Sequence, residues 1–330
     1  TPTLHQYHID NQIQTVRGRI LTSMEHRSYM GRRVWTSIVT IFLLLSLFST
    51  SSLNAETSPE AQERHIEILK IIPHDTSSFT QGLEISKGSL FESSGLYGHS
   101  KLIEIDITNG ETLRQFRIGD SFFAEGVTIV GESAILLTWR EEVAFEINIS
   151  EFSITQNFTF EGEGWGICYD DEFLVMSNGS SELAFRDPET FEINHSIVVF
   201  WDGEVVSNLN ELECVGGTIY ANIWKKDEII AINSSTGIVE FFASASNISK
   251  HQGTDDNEVL NGIAFDDDSG GFWITGKNWT EMYLVNFLVV ESSKDDSKSP
   301  LSNPILLVVG AILIGGISKQ LLFSRKDRSH

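Results

Sequence analysis

The sequence predicts an all-β chain in which one small antiparallel sheet is repeated five times. Between residues 79 and 287 a short phrase returns five times, at intervals of roughly forty to fifty residues, and each copy opens an alternating apolar run. The copies are FTQGL (79–83), FAEGV (123–127), GEGWGI (162–167), LNELE (209–213) and LNGIA (260–264). Repeats of this length are typical of β-propellers, in which each blade is a four-stranded sheet. We therefore expect a five-bladed β-propeller over residues 56–290.

The strands within the repeats follow from apolar runs separated by Gly, Asp, Asn or Ser. The fourth repeat contains four such runs, ELECVGG, TIYANIW, EIIAINSSTG and IVEFFAS, and the first three repeats divide similarly. The fifth repeat, 261–287, has length for only three strands. An additional strand, HIEILKIIP (65–73), precedes the first repeat, and its alternation predicts that Ile66, Ile68 and Ile71 are buried. We expect this N-terminal strand to complete the fifth blade and close the ring.

One position of the repeated phrase varies while its frame is kept. The five residues there are Gln81, Glu125, Trp165, Glu211 and Asn261, each followed by glycine or, once, by leucine. If every repeat begins with its innermost strand, these side chains converge on the central channel and form a site. The alternative is that the glycines only allow close strand packing and that the polar groups face channel water.

Charge and length limit the classes of function. The chain has 330 residues, a formal net charge of -23 and a pI of about 4.7. Such an acidic surface repels phosphate, so nucleic acid is excluded as a partner. The length suits one large β domain, which we expect to be monomeric.

Both ends of the chain have features of membrane targeting. Two arginines, an apolar run and a small polar stretch make 30–55 a signal peptide or an uncleaved signal anchor, whereas 1–29 is an extension without an assigned function. At the other end, the apolar segment 301–323 predicts a transmembrane helix, with a buried core helix as the alternative. A polar stalk (291–300) precedes it, and a basic tail (324–330) follows, which the positive-inside rule places in the cytoplasm. We expect a membrane-anchored propeller at the cell surface.

Glycosylation sequons and two cysteines bear on this location. Seven N-x-S/T sequons lie in the proposed outside domain, which predicts a glycoprotein: Asn148, Asn157, Asn178, Asn194, Asn233, Asn247 and Asn278. Cys168 and Cys214 occupy nearly equivalent places in the third and fourth repeats. They either form a disulfide or remain two buried thiols, and the expected distance between neighbouring inner strands slightly favours the thiols.

A set of motifs gives a specific resemblance. The runs PHDTSSFTQGLE, ESSGLYG, FAEGV, LTWRE, EGWGICYD, MSNGSSEL, NELECVGGTIYANIW and TGKNW follow one another between residues 73 and 279, and the region that they mark extends over 65–287. In order and spacing they resemble the plant and bacterial type of glutaminyl-peptide cyclotransferase. The resemblance implies that an N-terminal glutamine of a peptide or protein is converted to pyroglutamate with release of ammonia. It further implies a five-bladed propeller without a catalytic metal or other cofactor.

By motif match, the resemblance places the site on nine residues. Four would be catalytic, Glu125, Gln81, Asn210 and Lys277, and five would bind substrate, Phe79, Phe123, Trp139, Trp165 and Trp224. Ring closure requires a proton to move from the attacking nitrogen to the leaving one. Glu125 is the candidate shuttle, because its apolar neighbours Phe123 and Val127 favour a raised pKa. The amide groups and Lys277 would stabilise the oxyanion, and the tryptophans would exclude water.

Each of these residues also has a structural interpretation. The tryptophans of propellers more often pack between blades, and a lysine near a loop end is usually solvated. Glu211 is a rival carboxylate for Glu125, although it would also serve to pair with a neighbouring backbone group.

Two other functional classes remain open. A noncatalytic cell-surface propeller would bind a partner over the channel mouth. A calcium-dependent lactonase-like propeller would need a cluster of oxygen ligands, whereas this ring is interrupted by Trp165 and offers Lys277. Zinc chemistry is not expected, because the nine histidines show no HExxH-like spacing.

Overall fold

A computed structural model describes residues 60–253 and 255–290. The N-terminal extension (1–29), the signal segment (30–55), the stalk (291–300), the apolar segment (301–323) and the basic tail (324–330) lie outside the described residues. Within the described part of the chain, no helix is long and apolar enough to cross a membrane. The described residues are almost entirely β-strands and turns, so the prediction of an all-β chain is confirmed.

The described residues form 22 strands and one single-turn helix. Their bounds are β1 Gln62–Pro73, β2 Thr80–Ser86, β3 Ser89–Ser94, β4 Lys101–Asp106, β5 Thr112–Arg117, β6 Ala124–Val130, β7 Ser133–Thr138, β8 Val143–Asn148, β9 Ser153–Thr159, β10 Ile167–Tyr169, β11 Leu174–Met176, β12 Glu182–Arg186, β13 Ile193–Val198, β14 Phe200–Trp201, β15 Glu204–Val205, β16 Leu209–Val215, β17 Thr218–Ile223, β18 Glu228–Asn233, β19 Val239–Ser244, α1 Ser246–Ser249, β20 Leu260–Asp266, β21 Gly271–Gly276 and β22 Glu281–Val289.

The strands are arranged as a series of meanders. Three four-stranded antiparallel sheets comprise β2–β5, β6–β9 and β10–β13, and β14–β15 is a small hairpin. An eight-stranded sheet has the order β16-β17-β18-β19-β1-β22-β21-β20, so β1 joins the meander β16–β19 to the meander β20–β22. The first strands of the five meanders contact one another in sequence order, and β20 in turn contacts β2. The five copies of the repeated phrase therefore meet at one centre.

Strand β1 pairs as the sequence predicts, but its burial differs from the prediction. It runs antiparallel to β22 and its first residues run parallel to β19. Ile66 is partly buried, whereas Ile68 and Ile71 are 44% and 49% exposed and Ile72 is only 2% exposed. The ladder has an irregularity between Ile68 and Lys70, which places Ile72 on the face opposite to that of Ile66. Ile68 precedes this bulge, and its exposure matches that of β5 and β13, the outer strands of their meanders, whose residues are mostly exposed. The prediction that Ile68 and Ile71 are buried is therefore wrong.

The first strands of neighbouring sheets approach each other more closely than expected. A Cβ atom added to Gly126 would lie 2.7 Å from the Trp165 carbonyl oxygen, and one added to Gly166 would overlap the backbone of Asn210. This approach brings Cys168 of β10 and Cys214 of β16 to a Cα separation of 5.4 Å, and they form a disulfide. The interpretation that favoured two thiols is wrong because it overestimated the distance between these strands.

The apolar core lies between neighbouring sheets. Phe91 and Leu102 of the first meander pack with Leu136 and Phe145 of the second, and equivalent clusters fill the spaces between the others. Because apolar side chains fill these spaces, the polar residues of the repeated phrase are held near the centre on a packed scaffold.

Candidate active site

The central polar side chains are positioned by β-bulges. The antiparallel ladders of β2, β6, β16 and β20 each have a register shift at the repeated phrase. A bulge leaves a residue out of the pairing and redirects its side chain. The residues at these shifts include Gln81, Glu125, Asn210 and Asn261, all of which are buried. Of the five residues expected to converge, Gln81, Glu125 and Trp165 line one central cavity, whereas Glu211 and Asn261 are buried beside it.

All nine residues that the motifs predict line one cavity of about 200 Å³. Its lining consists of Phe79, Gln81, Phe123, Glu125, Trp139, Trp165, Asn210, Trp224, Lys277 and, in addition, Asn257. Asn257 was not predicted, because it lies in the polar loop before β20 and belongs to no motif. The cavity size suits the side chain and amino group of a single residue better than a large cofactor.

A chain of hydrogen bonds runs through the centre to the buried carboxyl group. Asn210 donates through Nδ2 to Asn261 Oδ1 at 2.7 Å, and Asn261 Nδ2 donates to Gln81 Oε1 at 3.2 Å. Gln81 Nε2 in turn donates to Glu125 Oε1, also at 3.2 Å. Three amide side chains from three meanders thus hold one carboxyl group in place.

Glu125 and Lys277 form the electrostatic centre of the cavity. Burial raises the pKa of Glu125 well above its usual value, and the positive charge of Lys277 opposes this shift. Burial lowers the pKa of Lys277 to about 8, and Glu125 opposes that shift in turn. Lys277 is 5% exposed and its Nζ lies 4.7 Å from the ring centroid of Phe79, so it is not a solvated surface lysine. Burial therefore shifts both groups toward their neutral forms.

The tryptophan walls are fixed by a carboxylate that the motifs did not identify. Glu163 Oε2 accepts the indole N–H of Trp139 at 2.9 Å and that of Trp165 at 3.0 Å. Its Oε1 accepts Arg140 Nε at 2.8 Å, and the Arg140 guanidinium lies 3.7 Å from the ring centroid of Trp139. Burial raises the pKa of Glu163, but these hydrogen bonds outweigh it and lower the pKa.

The tryptophans of the cavity differ from those of the core. Trp224 is 38% exposed and its ring meets that of Trp165 edge to face, whereas Trp273 and Trp279 are fully buried between strands. The interpretation as packing residues therefore applies to Trp273 and Trp279, and not to the tryptophans that line the cavity.

Glu211, the rival carboxylate, has a structural role, because it binds backbone N–H groups. Its Oε1 accepts the backbone N–H of Leu83 at 3.1 Å, and its Oε2 accepts that of Ile263 at 2.8 Å. These donors belong to β2 and β20, so one side chain of β16 connects three central strands. Both oxygens are thus occupied, and Glu211 does not line the cavity.

Among residues 60–253 and 255–290, no three His, Cys, Asp or Glu side chains form a group that could hold a metal ion. What this part of the chain does offer is a carboxyl group of raised pKa, a lysine of lowered pKa, amide donors and aromatic walls in one cavity. This combination is typical of an enzyme that moves protons.

Comparison with known proteins identifies the family. A family model described as glutamine cyclotransferase matches residues 40–287. A glutaminyl-peptide cyclotransferase from Arabidopsis thaliana is 32% identical over 255 residues, which cover 74% of this chain and 79% of that protein. The crystal structure of Myxococcus xanthus glutaminyl cyclase is similar with a TM-score of 0.66 and 36% sequence identity, covering 70% of this chain and 100% of that one. The chain therefore belongs to the glutamine cyclotransferase family.

Proposed function

We propose that this chain converts the N-terminal glutamine of peptides or proteins to pyroglutamate and releases ammonia, without a catalytic metal. The observation that carries the proposal is that nine motif positions from five repeats line one cavity around the buried carboxyl group of Glu125. Membership in the glutamine cyclotransferase family supports the same reaction.

The first step is attack of the α-amine on the side-chain amide carbon of the same residue. A free α-amine has a pKa of roughly 8, so a useful fraction is neutral near neutral pH. The reaction is intramolecular, and a cavity that folds the glutamine back on itself removes much of the entropic barrier. The aromatic side chains Phe79, Phe123, Trp165 and Trp224 provide walls for the glutamine stem.

Proton transfer is the role of Glu125. As the C–N bond of the ring forms, the attacking nitrogen must lose a proton, and the amide nitrogen must gain one before it leaves as ammonia. A carboxylate can accept the first proton and return it to the leaving nitrogen. Burial raises the pKa of Glu125 toward that of these nitrogens, which makes both transfers easier.

The tetrahedral oxyanion is stabilised by the donors around Glu125. Lys277 supplies a charged ammonium group, which is a stronger donor than a neutral amide. Gln81 and Asn210 each use one N–H on a neighbouring side chain, so each has one N–H left for the substrate. The tryptophan walls exclude water, which would otherwise hydrolyse the amide to glutamate.

We further propose that the five meanders are the blades of a five-bladed propeller that β1 closes. The cyclic contacts of the first strands and the position of β1 between β22 and β19 support this arrangement.

We also propose that the domain lies outside the cytoplasm and is anchored through 301–323. The disulfide between Cys168 and Cys214 favours an oxidising compartment. The seven sequons favour the same compartment.

The test of function is direct. The purified chain is incubated with a peptide that begins with glutamine, and mass spectrometry should show the loss of one ammonia at a rate above the spontaneous reaction. The same peptide with an acetylated N-terminus is the matched control, and it should not react because its amine cannot attack. Turnover of the acetylated peptide to glutamate would indicate a hydrolase, and no turnover of several glutamine peptides would favour a noncatalytic binding module.

A further inference from the structure

Asn261 occupies a distinctive position behind the cavity. It is fully buried, it does not line the cavity, and it connects two of the amide side chains that do, Gln81 and Asn210. Its Oδ1 accepts from Asn210, while its Nδ2 donates both to Gln81 Oε1 and, at 3.0 Å, to the backbone carbonyl oxygen of Thr80.

The carbonyl of Thr80 determines which way these amides face. A backbone carbonyl can only accept a hydrogen bond, so the group of Asn261 that faces it must be the NH₂ group. The Oδ1 of Asn261 then faces Asn210, which must donate through Nδ2. The same NH₂ group faces Gln81 Oε1. If the side-chain amide of Asn261 were flipped, its oxygen would face the Thr80 carbonyl oxygen. The carbonyl would then be a buried acceptor without a donor, which is unfavourable.

The orientation of Gln81 also affects Glu125. Because Gln81 has its oxygen directed at Asn261, it presents its NH₂ group to the carboxyl group of Glu125. An N–H donor favours the ionised carboxylate, whereas an amide oxygen in that place would favour the protonated acid. The orientation of Gln81 therefore acts on the equilibrium that a proton shuttle depends on.

We infer that Asn261 is a positioning residue which, held by the Thr80 carbonyl, fixes the orientation of Gln81 and thereby the protonation equilibrium of Glu125. The inference rests on the proposed function for the catalytic meaning of Glu125, but the hydrogen-bond chain stands without it. A simpler interpretation is that Asn261 only satisfies backbone groups at the bulge of β20, in which case its loss would affect stability alone.

Other charges also act on Glu125 and must be kept constant in a test. Lys277 lowers its pKa, and Glu163 and Glu141 raise it. Tyr97 donates to Glu141 Oε1 at 2.8 Å. None of these groups is changed by substitution at Asn261 or Gln81.

The test substitution is Asn261→Asp, which keeps the shape of the side chain. An aspartate still accepts from Asn210, but its other oxygen faces both the Thr80 carbonyl and Gln81 Oε1. That oxygen carries at most one proton, which the Thr80 carbonyl accepts because it cannot turn away, so no donor remains for Gln81. Gln81 then gains by rotating its NH₂ group toward position 261, and its oxygen faces Glu125. We expect the titration midpoint of Glu125 to rise by about one pH unit, and the kcat against pH profile to shift by a similar amount. The titration is measured by NMR on the purified full chain with carbon-labelled glutamate, and Glu125→Gln identifies the resonance.

A second substitution separates orientation from simple charge repulsion. Gln81→Met removes the amide but keeps the volume of the side chain. In this background Asn261→Asp should move the Glu125 midpoint by less than about a third of its effect in the parent, because the connecting amide is gone. An equal shift in both backgrounds would show that only the added charge acts, and would overturn the inference. An unchanged midpoint in Asn261→Asp alone would also overturn it.

If the Asn261→Asp variant does not fold, Asn261→Ala replaces it in the same test. It releases Gln81 to adopt both orientations, so the Glu125 midpoint should rise by a smaller amount, and kcat should fall about tenfold with little change in KM. A loss of stability with the midpoint and kcat unchanged would leave only the structural role and overturn the inference. The NMR titration needs no turnover. If the parent were inactive on glutamine peptides, the proposed function would be refuted, and the titration would still show whether Asn261 controls the protonation of Glu125.

Discussion

Substitution of Glu211 tests whether the two central carboxyl groups have separate roles. Glu211→Leu removes both acceptors that connect β16 to β2 and β20. The backbone N–H groups of Leu83 and Ile263 are then buried without a partner, and each such group costs about 1–3 kcal/mol. We therefore expect the free energy of unfolding to fall by about 2–6 kcal/mol, a large share of the ~5–15 kcal/mol of a typical domain.

The assay is urea unfolding followed by tryptophan fluorescence. With a slope of about 3 kcal/mol per molar urea, the midpoint should fall by roughly 0.7–2 M. Glu211→Gln is the matched variant, because its one remaining oxygen keeps one of the two bonds, and its midpoint should lie between those of the parent and Glu211→Leu. The kcat of the folded Glu211→Gln enzyme should stay within a few-fold of the parent. Unfolding of Glu211→Leu at the parental urea concentration would refute the structural role.

Two further predictions concern the closing strand and the buried lysine. Removal of β1 (Gln62–Pro73) leaves β22 and β19 without their partner strand and exposes the core around Ile72. The shortened chain should therefore fold poorly. A melting temperature equal to that of the parent would contradict the role of β1 in closing the ring. Burial lowers the pKa of Lys277 to about 8, so its ammonium group is lost as the pH rises through 8 and kcat should fall there. Lys277→Arg keeps its charge above that pH, and should therefore lose the alkaline decline even if its maximum rate is lower; a parent whose kcat is flat from pH 7 to 9.5 would exclude a role for the charge.

Much of the architecture could be read from local patterns. The repeated phrases begin at or just before β2, β6, β16 and β20, because strand starts carry both apolar alternation and turn residues. The third phrase is a less accurate guide to the strand, because β10 begins only at Ile167. Gly162 lies in a bend with a φ of 90°, and residues 163–166 belong to no strand. The nine cavity residues were identified by their motifs, and the structure places all of them together.

The features that sequence reasoning missed depend on contacts between distant parts of the chain. Ile68 and Ile71 are exposed because β1 is the strand of its meander farthest from the central strand β20, and the alternation of its residues does not reveal that place in the sheet. Glu163 resembles any exposed acidic residue in the sequence, and its role becomes visible only when the indole N–H of Trp139, 24 residues away, meets the same oxygen as that of its neighbour Trp165. Asn261 lies in a recognised phrase, but its importance comes from the Thr80 carbonyl, 181 residues away. Backbone acceptors have no sequence signature, so the direction of an amide chain appears only in three dimensions.

The most direct test of the central claim is the turnover of a glutamine peptide by Glu125→Gln. The amide keeps the shape of the carboxyl group and still offers an oxygen to Gln81 Nε2, but it cannot carry a proton. We predict that kcat falls by roughly 10²- to 10⁴-fold while KM changes little. Stability should stay the same or increase, because a buried carboxyl group of raised pKa is replaced by a neutral one. A kcat within a few-fold of the parent, measured on a folded Glu125→Gln enzyme, would contradict the assignment of Glu125 as the proton shuttle.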